Sequence, residues 1–188
     1  MRVTRGLSAA ALAVVFALTL TGCVPQAHKA APPAPSPSAT PVFASDEEAL
    51  AAATKAYAAY LEVEDRVAEV GGDDLEELSN HVTAHQLSIE REAFKGFSSS
   101  GKVSRGASRF DTISLQKKST ATDGTTTISL YLCLDVSDVR VLDTDGNDVT
   151  PAERPDRYPL EVDLQASNGS DSFLVSRSDA WRGDNFCK

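Results

Sequence analysis

Near Lys102 the apolar residues stop recurring every three or four positions and start recurring every second one, and this change of period constrains the fold more than any single motif. Upstream, Ser45 followed by Glu48 forms a capping box, and Asp46 and Glu47 put negative charge at the positive end of a helix dipole. The spacing predicts a helix over residues 45–70, stopped by Gly71 and Gly72. Leu50, Ala53, Tyr57, Tyr60, Leu61, Val67 and Ala68 fall near one face, and Glu62, Glu64, Asp65, Arg66 and Glu69 read as the side turned to water. Asp73 with Glu76, and Thr83 with Gln86, repeat the capping signature. They predict a short helix over residues 73–80 and a third over 83–96, with 98–101 a loop. One continuous helix over 73–97 is the alternative.

Downstream, Ile128, Leu130, Leu132 and Leu134 alternate with Ser129, Tyr131, Cys133 and Asp135, which predicts a strand with two differently used faces. Ile113 with Leu115, and Leu160 with Val162 and Leu164, alternate in the same way, and residues 139–142 and 173–177 are shorter strand candidates. Asp123-Gly124, Asp145-Gly146 and Asn168-Gly169 are turn signals between the runs. Pro151, Pro155 and Pro159 mark an irregular connection or a sheet edge. Helices first and an antiparallel meander afterwards define an α+β domain. At roughly 145 residues, 44–188, it can bury about two thirds of its unfolded surface around one core.

The segment before that domain is of another kind. Arg2 and Arg5 precede an apolar run over residues 7–20 broken only by Ser8 and Thr19, the order of a secretory signal peptide and too short for a stable membrane span. Leu20, Thr21, Gly22 and Cys23 close it, and a small residue directly before a cysteine resembles the lipobox of bacterial lipoproteins. The resemblance implies that residues 1–22 are a signal peptide, that diacylglycerol alkylates the Cys23 thiol, and that Cys23 becomes the first residue of the mature chain. Two or more acyl chains hold stably where one gives reversible attachment, each buried methylene contributing about 0.8 kcal/mol. The location implied is the extracytoplasmic face of the cell membrane, with the lipid on Cys23 as the membrane contact. An ordinary cleaved signal, or an uncleaved anchor, is the alternative. Residues 23–43 then form a tether, since six prolines interleaved with Ala and Ser favour extended polyproline conformations.

Charge and cysteine count narrow the function classes. Removing the leader with its two arginines leaves 16 basic residues against 27 acidic ones, a formal charge of −11. That excludes the basic footprint a nucleic-acid partner requires. With one cysteine lipidated, Cys133 and Cys187 remain as an even pair in an exported, oxidising setting and are expected to form a disulfide, two buried free thiols being the alternative.

The long Ala/Tyr-rich first helix, the two short helices after it, Cys133, Leu134 and Asp135 on a middle strand and Trp181 near the end resemble the NTF2-like, cystatin-related lipoproteins of high-GC Gram-positive bacteria. The resemblance implies three N-terminal helices packed on a curved antiparallel sheet, a cone whose mouth is open or filled. It implies a non-catalytic domain that binds a small ligand or an envelope protein; an enzyme with an acid/base residue in the cone, such as His81, His85 or Asp111, and a structural envelope accessory are the alternatives. Tyr57, Tyr60 and Tyr131 are the candidate wall of a ligand site, with His81 or His85 as a polar contact, since pockets are mostly apolar with a few convergent polar groups.

No cofactor is expected. His81 and His85 have the spacing of a zinc-binding helix, but Val82 stands where a zincin carries its glutamate base and no third ligand is identifiable. Asp143, Asp145, Gly146 and Asn147 resemble the start of a calcium loop, yet Asp148 occupies the position that needs glycine and Arg154 the one that needs glutamate.

Overall fold

The computed structural model describes residues 43–187 apart from Gly169 and Asp171; the leader, Cys23, the tether up to Val42 and the second residue of the Asn168-Gly169 turn lie outside the described residues. Helix α1, Asp46–Glu69, begins at the expected cap: the Ser45 hydroxyl accepts from the Glu48 N–H at 3.1 Å, and the Glu48 carboxylate accepts from the Ala44 N–H at 2.8 Å. It ends where Gly71 and Gly72 take φ of 72° and 94°, which side-chain-bearing residues rarely adopt. The next element, Leu75–Asn80, is a 3-10 helix. Helix α2, Ala84–Ser100, is capped by the Thr83 hydroxyl, which accepts from the Gln86 N–H at 3.3 Å. A single helix across this region is ruled out, because Val82 is extended and bridges Val175.

Helix α2 runs four residues past Gly96, so the expected loop over 98–101 is helical except for its last residue. Ser99 and Ser100 donate their hydroxyls to the Gly96 carbonyl at 3.2 and 2.8 Å, bonding back to the preceding turn, and Gly101 at φ 63° then ends the helix.

Six strands follow: β1 Val103–Arg105, β2 Arg109–Thr120, β3 Thr126–Asp135, β4 Arg140–Leu142, β5 Arg157–Ala166 and β6 Leu174–Ala180. Strands β2, β3, β5 and β6 form an antiparallel sheet in that order, while β1 and β4 pair separately. The sheet is curved. Register shifts interrupt β2 between Asp111 and Ser114 and between Leu115 and Lys117, and bulges of this kind bend a strand and sharpen its twist. Pro159 sits inside β5, opposite Cys133 of β3, rather than in an irregular connection. In a strand the N–H and C=O of one residue point the same way, and the Pro159 carbonyl accepts from the Trp181 N–H at 2.9 Å, just past the end of β6. The missing N–H therefore faces the β6 side, and the pairing with β3 is kept.

The pleat divides the sheet into two environments. Ile128, Leu130 and Leu132 of β3, with Val162 and Leu164 of β5, are fully buried against Ala49, Ala53 and Tyr57 of α1. On the opposite face Cys133 bonds Cys187, as the cysteine count predicts, and Trp181 packs on Tyr131 with ring centroids 5.0 Å apart. Beside them Arg157 of β5 binds Asp111 of β2 and Asp135 of β3, each at 2.8 Å, and Arg177 of β6 binds Asp163 of β5 at 2.8 Å. These charges tie neighbouring strands across the face that carries no helix.

The Cys133–Cys187 bond spans 54 residues and fixes the C-terminal segment over the outer sheet face. In the chain-entropy model a loop of that length is worth about 4 kcal/mol, so replacing both cysteines by serine is expected to lower the unfolding free energy by about that amount. Urea titration of the variant pair measures it.

Candidate functional site

The helices meet the inner sheet face tightly at one end and leave space at the other. Near the start of α1, Ala49 and Ala53 are small enough for helix and sheet to come into contact, whereas Tyr57 and Tyr60 further along hold them apart. Two hollows of about 270 and about 280 Å³ open there, between α1, α2 and the end of β3. They share Glu64, Glu90, Leu134 and Tyr158, so they adjoin across those side chains. Phe94, Phe97, Val136 and Val139 give the first an apolar wall, and Tyr57, Tyr60 and Ser178 line the second.

The two glutamates are held differently. Glu90 is 8 % exposed, and its Oε1 accepts from the Tyr60 hydroxyl at 3.0 Å and from Gln86 Nε2 at 2.8 Å. Glu64 keeps part of its surface accessible because both hollows open on it, yet protein atoms crowd its carboxyl. Burial, followed by the charges of Glu90 and Asp65, pushes Glu64 up to about 8. The same burial and negative field push the Tyr57 and Tyr60 hydroxyls far above their ordinary value, and Tyr158 upward to a lesser degree. Arg154 also lines the first hollow; its guanidinium donates to the carbonyls of Val136 and Val139 at 2.8 and 2.9 Å, and its buried Nε has no partner.

Of the candidate ligand residues, Tyr57 and Tyr60 come together at this site, their rings 5.7 Å apart. Tyr131 does not join them. It is on the odd-numbered face of β3, opposite the core leucines, where Trp181 and Phe186 cover it and Gln116 hydrogen-bonds its hydroxyl. His81 follows the 3-10 helix and His85 lies in the first turn of α2, exposed; neither lines the hollows, and the extended Val82 between them breaks the helical spacing. Asp111 is likewise outside, on the outer sheet face, where hydrogen bonds from Arg157 and Thr112 lower its pKa. The Asp143 turn accounts for its own acidic residues: Oδ1 accepts the N–H groups of Asp145 and Asn147, each at 2.9 Å. Among the described residues no group of three or more His, Cys, Asp or Glu side chains is placed to hold a metal ion.

Glu64, Glu90 and Tyr158 are the functional candidates that sequence reasoning misses. A signal exists for the first: Glu64 lies seven residues after Tyr57 and four after Tyr60, on the apolar stripe of α1 rather than on its wet side. Its charge, not its position, assigns it to water.

No protein-family model and no curated protein matches this chain. Among solved structures, the intermembrane space region of the chloroplast protein ARC6 aligns over 70 % of this chain and 95 % of its own, with a TM-score of 0.50 and 10 % identity. A periplasmic fragment of TraM aligns over 73 % and 98 %, with a TM-score of 0.47 and 10 % identity, and Aln2 from a Streptomyces species over 73 % and 92 %, with 0.38 and 17 %. At such identities the likeness to ARC6 concerns the arrangement of helices and sheet alone.

The raised Glu64 value has a direct consequence for stability. Between its ordinary 4.5 and about 8, the folded chain holds a proton that the unfolded chain has released. The stability this group contributes is therefore fully present below pH 4.5 and declines as pH rises towards 8. Thermal unfolding of the wild type is expected to weaken between about pH 5 and about pH 8 more steeply than that of Glu64→Gln, which carries no titrating proton.

Proposed function

We propose that this chain is a lipid-anchored, extracytoplasmic binding protein whose single NTF2-like domain holds a small ligand in the space between its helices and the inner face of its sheet. The observation that carries the reading is the pair of adjoining hollows with two carboxyls on their shared wall. The first hollow is mostly apolar with a few convergent polar groups, the make-up of a ligand pocket, and the second, adjoining it, presents mainly polar atoms. The leader, the lipobox ending at Cys23 and the proline-rich tether support anchoring outside the cytoplasm. The Cys133–Cys187 disulfide supports an oxidising compartment. An enzyme of the same fold is the second reading, and one observation favours it: a carboxyl raised to about 8 inside a hollow is suited to proton transfer near neutral pH.

Two measurements test the proposal. Ligand-observed NMR with a panel of small apolar fragments should show binding to the wild type. Binding should be lost when Ala68→Phe fills the first hollow and Ser178→Phe the second, while the fold persists by circular dichroism. Absence of fragment binding to the wild type would remove the ligand-site reading. Metabolic labelling with a fatty acid should mark the native chain and not Cys23→Ala, which should also leave the membrane fraction.

A further inference from the structure

We infer that the cavity takes a small organic cation, a protonated amine on an apolar body, with its ammonium between Glu64 and Glu90 and its body against Phe94, Leu134 and Val139. This rests on reading the cavity as a ligand site and adds the class of ligand.

Charge arrangement supplies the first ground. Two carboxyls stand on the wall common to both hollows, and among the described residues the one basic side chain that lines either hollow is Arg154, which lines the first alone and gives one guanidinium nitrogen to two backbone carbonyls. A bound anion would add negative charge where carboxyls already crowd one another, and a neutral ligand would leave Glu64 holding its proton; a cation supplies the charge that lets Glu64 ionise.

Hydrogen bonding supplies the second ground. Glu90 is fixed as an acceptor by Tyr60 and Gln86, so its position is set before a ligand arrives. Glu64 lines both hollows, where its carboxyl can take up the N–H groups of an ammonium in a charge-assisted bond. The third ground is aromatic. Tyr57, Tyr60 and Tyr158 surround these acids, and ring faces attract cations most strongly where water is scarce.

Proton balance follows from this placement. Glu64 enters the reaction carrying a proton, the ammonium arrives charged, and Glu64 releases its proton to solvent as the ion pair forms. The groups around it from the surrounding elements are Asp65 on its own helix, Glu90 of α2, Tyr57 and Tyr60 of α1 and Tyr158 of β5, with Arg154 on the same first hollow.

The test uses the full chain and three probes of one size: benzylamine, benzyl alcohol and benzoate. Calorimetry at neutral pH is expected to show benzylamine binding at least about tenfold more tightly than the alcohol, and benzoate more weakly than either. Repeating the titration in two buffers of different ionisation heat should reveal proton release with the amine. Glu64→Gln, nearly isosteric with the protonated acid, should keep the fold, lose about tenfold in amine affinity, leave the alcohol unchanged and abolish the proton release. Equal binding of amine and alcohol, or preferential binding of benzoate, overturns the ligand class and leaves the cavity a binding site. Failure of all three probes, with the apolar fragments still bound, also overturns the class alone. Failure of probes and fragments together overturns both readings.

Discussion

Strand β3 is buried on both faces, and the arrangement of every other element follows from how those two faces are covered. Its even-numbered residues, from Ile128 to Leu134, require an apolar partner layer, and α1 supplies it. Its odd-numbered residues include Tyr131 and Cys133, and the C-terminal segment lies over them, joined through Cys187 and Trp181. A sheet with helices on one side only ordinarily leaves the other to water. Here the outer face is protected in part by that segment and in part by the arginine-centred ion pairs of Arg157 and Arg177. The disulfide and these ion pairs thus lie on the side away from the hollows.

The inner side shows why the space exists where it does. Helix α1 buries alanines near its start and tyrosines further along, and the hollows open beside the tyrosines. Tyr57 meets Phe110 edge to face with centroids 4.9 Å apart, which braces α1 against β2. Beyond it, a gap lined wholly by leucine and valine would be an ordinary packing defect, of the kind larger core side chains remove. This gap carries Glu64 and Glu90 instead, and burying two carboxyls near one another disfavours folding unless protons, solvent or a ligand compensate. An acid kept in such a place weakens the fold that holds it, and sites of that type are commonly functional.

Much of the framework was legible because it depends on local rules. Ser45 and Thr83 cap their helices, Gly71 and Gly72 end the first, and the period-two runs become β3 and β5. Where expectation and structure part, longer-range partners decide. Pro159 is tolerated inside β5 because its missing N–H falls beyond the end of β6, a matter of strand order that no local signal carries. Tyr131 was separable from Tyr57 and Tyr60 in principle: it shares parity with Cys133, while the core leucines hold the even positions. Glu64 was readable by helical spacing, but a charged residue is assigned to solvent by default, and the default fails at sites built to hold a charge. Glu90 and Tyr158 had no such signal, since they meet Glu64 only after α2 and β5 fold against α1.

Placing the acids on helices and the disulfide on the sheet separates two demands that would otherwise conflict. A ligand entering between Glu64 and Glu90 touches α1, α2 and the tip of β3, whereas the covalent link and the strongest ion pairs lie on the reverse side of the sheet. Adjustments of the helices around a ligand therefore need not disturb the strand pairing. The carboxyls lie on the helical layer, and the sheet beneath it is reinforced independently by the disulfide. The Cys133–Cys187 bond acts from the side opposite the acids, so its contribution does not depend on the state of the site.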